Sequence, residues 1–203
     1  MAVITLSRQF GAGGRTLAVK VAEKLGYQFL DSIIIEEISR KAKVTPRSVK
    51  AIEKSGGSFV SNFITGTLSR SYMERLTGDK IGYMDEQVYI DKLAEVITEF
   101  AHKDNFVIVG RGSQYILKDF KNAYHILCVA SEKDRIRFIQ KTYDVSDKKA
   151  LRAVINGNKC RAKLYSRLHE TNYNSSELYH MVLNMSRVSI EQAINQICTL
   201  IKN

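Results

Sequence analysis

The residues best suited to chemistry in this chain lie in a glycine-rich stretch near its amino terminus. An apolar run ends there in Ser7-Arg8-Gln9-Phe10-Gly11-Ala12-Gly13-Gly14-Arg15-Thr16, and an amphipathic helical pattern follows at once. Glycines at 11, 13 and 14 permit positive φ angles and close backbone approach, and a helix N-terminus attracts anions. The spacing therefore predicts a phosphate-binding loop whose candidate ligands are Gly11, Ala12, Gly13, Gly14, Arg15 and Thr16. A strand-to-helix turn without a ligand is the alternative.

The stretch departs from the standard phosphate-loop pattern G-x-x-x-x-G-K-[ST] at its charged position. When Gly13 is aligned with the second glycine, Arg8 stands at the first glycine and Gly14 stands at the lysine. Arg15 is the main candidate to supply the missing positive charge, and Arg8 is the other. Thr16 is the hydroxyl available to a magnesium ion.

A second candidate, Gly110-Arg111-Gly112, follows the apolar run at 106–109. A guanidinium binds phosphate through two parallel hydrogen bonds, so Arg111 is predicted to bind a substrate phosphate. The alternative is that Arg111 pairs with a neighbouring carboxylate.

A third candidate is the basic segment Asn158-Lys159-Cys160-Arg161-Ala162-Lys163-Leu164-Tyr165. Lys159 and Lys163 are four residues apart and share a helix face, with Arg161 to the side. Basic residues on a helical segment that closes over a triphosphate would neutralise charge during phosphoryl transfer. The alternative is a basic surface helix without a ligand.

The distribution of charge supports a phosphate-containing partner. The net charge is +10, and eleven Lys or Arg residues lie between Lys133 and Arg167, opposed by three aspartates. Such a block suits the phosphates of nucleotides or of a nucleic acid. Nucleic acid is the less favoured partner, because Phe138, Tyr143 and Tyr165 are not regularly interleaved with the basic residues and no recognition motif is present.

The remaining composition narrows the protein class. The three cysteines are widely spaced, as in reduced cytoplasmic proteins. No apolar run reaches the roughly 18 residues of a membrane span, and the amino terminus lacks the pattern of a secretory signal. The histidines and cysteines show no metal-ligand spacing. We therefore expect a cytoplasmic protein with no membrane partner.

Short apolar runs alternate with helical patterns, which predicts an α/β fold with a doubly wound parallel sheet. The predicted strands are 2–6, 27–30, 106–109, 125–130 and 181–184, and the predicted helices are 15–25, 33–42, 46–54, 85–102, 133–141, 147–168 and 189–201. Thr45 and Pro46 form a helix start, with Thr45 as the N-cap. Ligands bind at the carboxyl ends of such strands, which adds Asp31, Ser131 and Ser186 to the candidate residues.

We expect a single domain over residues 1–203, because the chain contains no repeat and no linker. Residues 55–84 mix glycine with Ser, Thr and aromatic residues without a clear period. Long unpatterned stretches in compact domains are often lids over a substrate. An irregular surface insertion is the alternative.

Taken together and in this order, the motifs resemble the cytidylate kinase-like family, a branch of the nucleoside monophosphate kinases, which are P-loop phosphotransferases. The resemblance covers nearly the whole chain. It rests on Ser7-Arg8-Gln9-Phe10-Gly11-Ala12-Gly13-Gly14-Arg15, Phe29-Leu30-Asp31, Val107-Ile108-Val109-Gly110-Arg111-Gly112, Asn158-Lys159-Cys160-Arg161-Ala162 and Asn184-Met185-Ser186-Arg187.

The resemblance implies a three-layer P-loop kinase fold, with a five-stranded parallel sheet in the order 2-3-1-4-5, helices on both faces and a helical lid at about 142–172. It implies ATP and Mg²⁺ as co-substrates and a nucleoside monophosphate, typically CMP or dCMP, as acceptor. Residues 55–84 would then be an acceptor-side insertion.

The resemblance also implies roles for the candidate residues. Gly11–Thr16 would hold the donor phosphates, with Thr16 next to Mg²⁺. Arg15, Arg161 and Lys159 would be catalytic, while Asp31, Arg111 and Lys163 would bind the substrate.

Two other hypotheses remain open. Because Gly14 replaces the lysine and Gly112 replaces a carboxylate common in such kinases, the chain could bind nucleotides without turnover. A nucleic-acid-binding module is the second hypothesis. The oligomeric state is also open, with a homodimer as one option.

Overall fold

The computed structural model describes residues 2–55, 84–170 and 172–202. Five parallel strands form one sheet in the order β2-β3-β1-β4-β5. The strands are β1 (Val3–Arg8), β2 (Gln28–Leu30), β3 (Phe106–Val109), β4 (Ala123–Val129) and β5 (Met181–Asn184). The predicted five-stranded parallel sheet and its strand order are confirmed.

The helices of the described residues connect these strands. They are α1 (Gly14–Leu25), α2 (Ser32–Ala42), α3 (Pro46–Ser55), α4 (Glu86–Ala101), α5 (Ser113–Ile116), α6 (Glu132–Tyr143), α7 (Asp147–Arg167) and α8 (Ile190–Lys202), with a 3₁₀ turn at Ser176–Leu178. Each predicted helix is present, with its ends displaced by at most two residues. The sequence missed α5, because four residues are too few to show a helical period.

β1 extends two residues beyond its predicted end. Ser7 and Arg8 pair with Leu127 and Cys128 of β4, although both are polar and the apolar run ends at Leu6. Pairing with a neighbouring strand, rather than the apolar pattern, decides where this strand ends. The glycine-rich loop consequently begins at Gln9.

The core of the sheet-containing part lies against α1 and α8. Side chains of β1, such as Ile4 and Leu6, pack with Leu17 and Val21 of α1 and with Ile197 of α8 in one buried cluster. The buried positions of α1 recur at three- and four-residue spacing, as expected for an amphipathic helix. This packing fixes the start of α1 at the carboxyl end of β1.

The chain forms two compact units, and the sheet lies wholly in one of them. That unit comprises Met1–Leu30 and Thr98–Asn203, whereas the second unit comprises Asp31–Ile97. Residues 56–83, most of the predicted acceptor-side insertion, lie outside the described residues. The single-domain and lid assignments therefore stay predictions.

The second unit contains α2, α3 and most of α4. At the start of α3 the amide of Ser48 donates to the Thr45 hydroxyl over 3.2 Å, so the predicted N-cap is confirmed. The ammonium groups of Lys41 and Lys92 each donate to the carboxylate of Glu95 over 2.7 Å. These hydrogen bonds lower the pKa of Glu95 to about 2.

Among the described helices, none combines the length and the hydropathy that crossing a bilayer requires.

The buried His125 of β4 contacts His180, an exposed residue that directly precedes β5. His125 is only 5% exposed, and its Nδ1 lies 2.8 Å from the Thr5 hydroxyl. The amide of His125 donates to Nδ1 of His180 over 3.0 Å. Burial, together with the neighbouring His180, lowers the pKa of His125 to about 4.

The stability of the fold should therefore depend on His125 below neutral pH. Because its pKa is lower in the folded than in the unfolded state, the unfolded chain binds the proton more readily. The free energy of unfolding that neutral His125 contributes is complete above pH 6.5 and is lost as the pH falls through about 4. Since one pKa unit equals about 1.4 kcal/mol, the shift from 6.5 to about 4 corresponds to a loss on the order of 3 kcal/mol once His125 is fully protonated.

Urea unfolding at pH 7 and pH 4.5 measures this effect. The His125→Gln variant should show a smaller difference between the two pH values than the wild type. The matched control His102→Gln, at an exposed histidine, should keep the wild-type difference. An unchanged difference in His125→Gln would contradict the assignment.

Candidate phosphate-binding site

The glycine-rich loop, residues 9–13, joins the end of β1 to the start of α1. Gly11 and Gly13 have φ angles of 86° and 74°, in the left-handed region that glycine adopts without strain. Gly13 is the N-cap of α1, and its carbonyl accepts from the amide of Leu17 over 3.0 Å. The first amides of α1 therefore adjoin a turn of glycines, an arrangement that binds phosphate in proteins.

Gly14 and Ala12 have close contacts within the protein. Gly14 is the first residue of α1 and has no positive φ, so close approach, and not a positive φ, is the property of glycine used at this position. A Cβ atom at Gly14 would lie 2.7 Å from Cβ of Arg8 and 3.0 Å from Cδ2 of Leu6, which explains the glycine. The amide of Ala12 donates to the carbonyl of Gln9 over 3.1 Å and is therefore engaged within the turn.

The side chain of Arg8 fills the space between the loop and the end of β3. Its Cβ and Cγ face Gly14, and its Nη1 occupies the place that a Cβ atom of Gly110 would take. The charge of Arg8 also acts on the thiol of Cys128, whose pKa burial raises to about 12 while Arg8 opposes this rise. Arg8 thus carries a positive charge to the carboxyl edge of the sheet.

A cavity of about 570 Å³ opens beside the loop. Its lining contains most of the predicted loop ligands together with Arg8 and aromatic side chains: Arg8, Gln9, Phe10, Gly11, Gly13, Gly14, Arg15, Thr16, Val19, Lys20, Glu23, Phe138, Ile139, Thr142 and Tyr143. Arg15 is exposed, and its guanidinium carbon lies 5.8 Å from the centroid of the Phe29 ring, within cation–π range.

A buried arginine of α6 packs against the loop. Arg135 is 8% exposed, and its Nη1 donates to the Phe10 carbonyl and to Oδ1 of Asn158, each over 3.4 Å. Its Nε has no hydrogen-bond partner among the described residues. A buried guanidinium with a spare donor is suited to binding an anion.

Arg161 lies on the inward face of α7 and connects this helix to β1. Its Nη2 donates to the Ser7 hydroxyl over 3.2 Å, and its Nη1 donates to Oδ1 of Asn174 over 2.7 Å. Its guanidinium carbon lies 5.2 Å and 4.8 Å from the ring centroids of Tyr165 and Tyr173. These contacts hold Arg161 beside the strand that leads into the loop.

A buried hydrogen-bond network supports this position of Arg161. The hydroxyls of Ser7 and Tyr165 are 2.9 Å apart, and Nε2 of Gln114 donates to the hydroxyls of Tyr165 and Tyr179 over 2.9 and 3.3 Å. Burial is the main cause that raises the pKa of Tyr179 to about 12. Tyr179 is therefore neutral at ordinary pH, and its hydroxyl can both donate and accept hydrogen bonds in this network.

α7 separates the three basic residues that the sequence grouped. At about 100° per residue, Lys159 and Lys163 lie on one face and Arg161 lies roughly 160° from each of them. Both lysines are exposed. The structure therefore brings Arg161 to the β1 side of α7 and leaves Lys159 and Lys163 on the outer face. The catalytic role of Lys159 and the substrate-binding role of Lys163 stay predictions.

The two predicted acceptor-side residues occupy different parts of the chain. Arg111 follows β3 with a φ of 55°, between Gly110 at 69° and Gly112 at 67°. This left-handed conformation is uncommon for a residue other than glycine. Asp31 occupies the N-cap position of α2 in the second unit. The binding roles of Arg111 and Asp31 stay predictions.

A second cavity, of about 560 Å³, lies at the carboxyl ends of β4 and β5. Gln9 lines this cavity as well as the loop cavity, and its Oε1 accepts from the amide of Ala130 over 3.1 Å. Hydrogen bonds from Ser131 and Ser186 lower the pKa of Asp134, whose carboxylate also lines this cavity. The second cavity is therefore polar and adjoins the loop cavity at Gln9.

The donor groups present suit a magnesium ion that arrives with a nucleotide. In the described parts of the chain, no group of three or more His, Cys, Asp or Glu side chains could hold a metal ion. Thr16 is exposed on the first turn of α1 and lines the loop cavity. One hydroxyl fits Mg²⁺, which usually takes its remaining ligands from phosphates and water.

The sequence model of the cytidylate kinase-like family matches residues 3–187. The chain belongs to this family. Among solved structures, it is similar to an uncharacterized protein from Eubacterium ventriosum ATCC 27560, with 18% identity and a TM-score of 0.69 over 100% of this chain and 99% of that one.

Two kinases share the fold of this cytidylate kinase-like chain. Shikimate kinase from Acinetobacter baumannii in complex with shikimate is 17% identical, with a TM-score of 0.53 over 100% of this chain and 93% of that one. Deoxyadenosine kinase from M. mycoides with bound dATP is 13% identical, with a TM-score of 0.50 over 99% and 100%. No curated protein sequence matches the chain. At these identities the likeness shows a P-loop kinase fold and no more.

Arg135 and Gln114 of this family member were not among the residues predicted from sequence. Arg135 precedes Ile139 by one helical turn, and both are buried on α6. That spacing places a cation on an apolar helix face, which is a usable signal. Gln114 gave no such signal, because its partners are more than 50 residues away in sequence.

Close packing of the loop predicts different costs for two glycine substitutions. Gly26 has a φ of 69° and no atom within 4 Å of a Cβ, whereas a Cβ at Gly11, with a φ of 86°, would lie 2.8 Å from the Arg135 carbonyl oxygen. Gly26→Ala should cost about 1–2 kcal/mol from backbone strain alone. Gly11→Ala should cost more, because it adds a backbone clash. Urea unfolding measures both values, and equal losses would contradict the packing argument.

Proposed function

We propose that this protein transfers the γ-phosphoryl group of ATP to a nucleoside monophosphate, CMP or dCMP first, or to a related small acceptor. The observation that carries the proposal is the glycine loop at the start of α1, which opens onto a cavity that also contains Arg8 and Thr16. Membership of the cytidylate kinase-like family supports the same chemistry.

The donor nucleotide would use both cavities. Amides at the start of α1 and the positive end of the helix dipole attract the phosphates. The polar cavity beyond Gln9 offers Asp134 and the Ser131 and Ser186 hydroxyls to a ribose or a base. Its volume of about 560 Å³ suits a nucleoside.

Transfer would depend on positioning and on charge neutralisation, because in-line phosphoryl transfer needs little covalent chemistry from the protein. Arg161 would neutralise charge, since Ser7 and two tyrosines hold it beside β1. Arg15 is a further candidate at the cavity. When bound, Mg²⁺ would neutralise phosphate charge with the Thr16 hydroxyl as its protein ligand. Lys159 would reach the phosphates only after a movement of α7.

The acceptor would be bound by Arg111 and Lys163, and the predicted substrate role of Asp31 is a separate proposal. Arg111 offers a permanent charge and a two-pronged donor for the acceptor phosphate. Its position directly after β3 agrees with the rule that ligands bind at the carboxyl ends of parallel strands.

A second candidate function is nucleotide binding without turnover. Gly14 favours it, because the lysine of the standard phosphate loop has no replacement at that position. The two functions share the loop and the polar cavity, and they differ only in the chemical step.

The proposed reaction is tested by measuring ADP formation from ATP and Mg²⁺ with a panel of acceptors. The panel contains CMP, dCMP, the other nucleoside monophosphates, shikimate and deoxyadenosine. We expect the highest kcat/KM for a pyrimidine monophosphate. ATP binding by calorimetry without ADP formation for any acceptor would establish the second candidate function instead, and absence of both would overturn the two proposals.

The role of Arg161 is tested with a control on the same helix. Arg161→Ala should lower kcat by about 10²–10³-fold, the loss typical of removing one charge-stabilising donor. Arg152→Ala, at an exposed position of α7, removes the same charge and should retain kcat. Thermal unfolding of both variants checks the fold. Equal kcat values for the two folded variants would contradict the assignment.

A further inference from the structure

We propose that Arg8 supplies the positive charge that the lysine supplies in the standard phosphate loop, and that it does so from the strand side of the loop. This inference rests on the proposed nucleotide binding. It names the side chain on which phosphate affinity depends.

Two glycines mark the path of the Arg8 side chain. A Cβ atom at Gly14 would meet Cβ of Arg8 at 2.7 Å and its Cγ at 3.1 Å, and a Cβ atom at Gly110 would meet Nη1 of Arg8. The side chain therefore runs along the start of α1 and reaches the turn after β3. Neither position can carry a larger residue while Arg8 takes this path.

Compared with the standard phosphate loop, Arg8 and Gly14 have exchanged the positions of the glycine and the cation. In G-x-x-x-x-G-K-[ST], position 8 of this chain corresponds to the first glycine and position 14 to the lysine. Here the large cation stands at the glycine position, and the glycine stands at the cation position. One long side chain is present in either case, and only the element that carries it differs.

Arg8 lines the same cavity as the loop glycines and Thr16. Its guanidinium keeps its charge at any ordinary pH and offers donors in a planar fork that matches phosphate oxygens. Because Arg8 is the last residue of the central strand and pairs with Cys128 of β4, its backbone is fixed by the sheet. A fixed backbone lowers the entropic cost of holding the charge at the cavity.

Arg15 is less suited to this task. It is exposed, and its guanidinium lies over the ring of Phe29. Solvent screens the attraction of an exposed cation for a ligand more strongly than that of a partly buried one. Arg8 is only partly exposed, so its charge acts at the cavity with less screening.

The exchange can be reversed by mutation. Binding of inorganic tripolyphosphate, measured by calorimetry, is the primary readout, because it needs neither an acceptor nor turnover. The variants are Arg8→Gln, Arg8→Lys, Arg8→Gly, Gly14→Lys and the double variant Arg8→Gly with Gly14→Lys. Arg47→Ala, an exposed arginine on the first turn of α3, is the control for loss of net charge.

Arg8→Gln and Arg8→Gly should each lower tripolyphosphate affinity by at least about tenfold, as expected for losing a charge-assisted contact. Arg8→Lys should lose less, and Arg47→Ala should bind as the wild type does. Gly14→Lys alone should lower the unfolding temperature, because its Cβ meets Arg8. The double variant should bind more tightly than Arg8→Gly, whereas Gly14→Lys should not strengthen binding when Arg8 is present. This non-additivity is expected if the two positions share one task.

Wild-type affinity in folded Arg8→Gln would overturn the inference, as would a wild-type protein that does not bind tripolyphosphate. A folded double variant that binds no better than Arg8→Gly would do so as well. If the Gly14→Lys variants fail to fold, Arg8→Gln and Arg8→Lys still decide. Tripolyphosphate binding that depends on Arg8, without ADP formation for any acceptor, would support the inference and refute the proposed reaction.

Discussion

The close packing of Arg8 against Gly14 and Gly110 constrains the whole carboxyl edge of the sheet. β1 is the central strand and pairs with β3 on one side and β4 on the other. Its last side chain therefore emerges where the loop and the turn after β3 meet. A long side chain at this point leaves no room for a Cβ atom at either glycine. The placement of one arginine thus explains why glycine stands at positions 14 and 110.

Contacts of three kinds join the first strand and its loop to the inward face of α7. The ring of Phe10 takes the space that a Cβ atom of Gly157 would need, Arg135 donates to both Phe10 and Asn158, and Arg161 donates to Ser7. A steric fit, a bridging guanidinium and a direct hydrogen bond respond differently to substitution. Together they couple the position of α7 to the backbone of the loop, so a ligand that alters one should alter the other.

Most of the fold could be predicted from local pattern, because the buried strands are short apolar runs and the helices repeat every three to four residues. The errors in the predicted elements arise where something other than the apolar pattern sets the element, namely strand pairing or a helix too short to show a period. β1 continues through Ser7 and Arg8 because β4 offers backbone partners there. α5 is too short to show a period. The strand order came from the resemblance to a known family, since periodicity does not encode which strands are neighbours.

The sequence by itself determined the strand, loop and helix at the amino terminus, the excess of positive charge and the membership of the cytidylate kinase-like family. Only the tertiary structure decided which cations face the loop. The sequence places Lys159 and Lys163 on one helix face and Arg161 to the side, but it does not show which side faces the loop. In the structure, Arg161 lies on the inward face of α7 and reaches Ser7, 154 residues away. Gly14 likewise looked like a flexible loop residue until Arg8 was seen to fill its space. The physical reason is the same in both cases. Local periodicity in the sequence indicates which face of a helix or strand a residue occupies, but contacts with segments distant in sequence determine which atoms that face contacts.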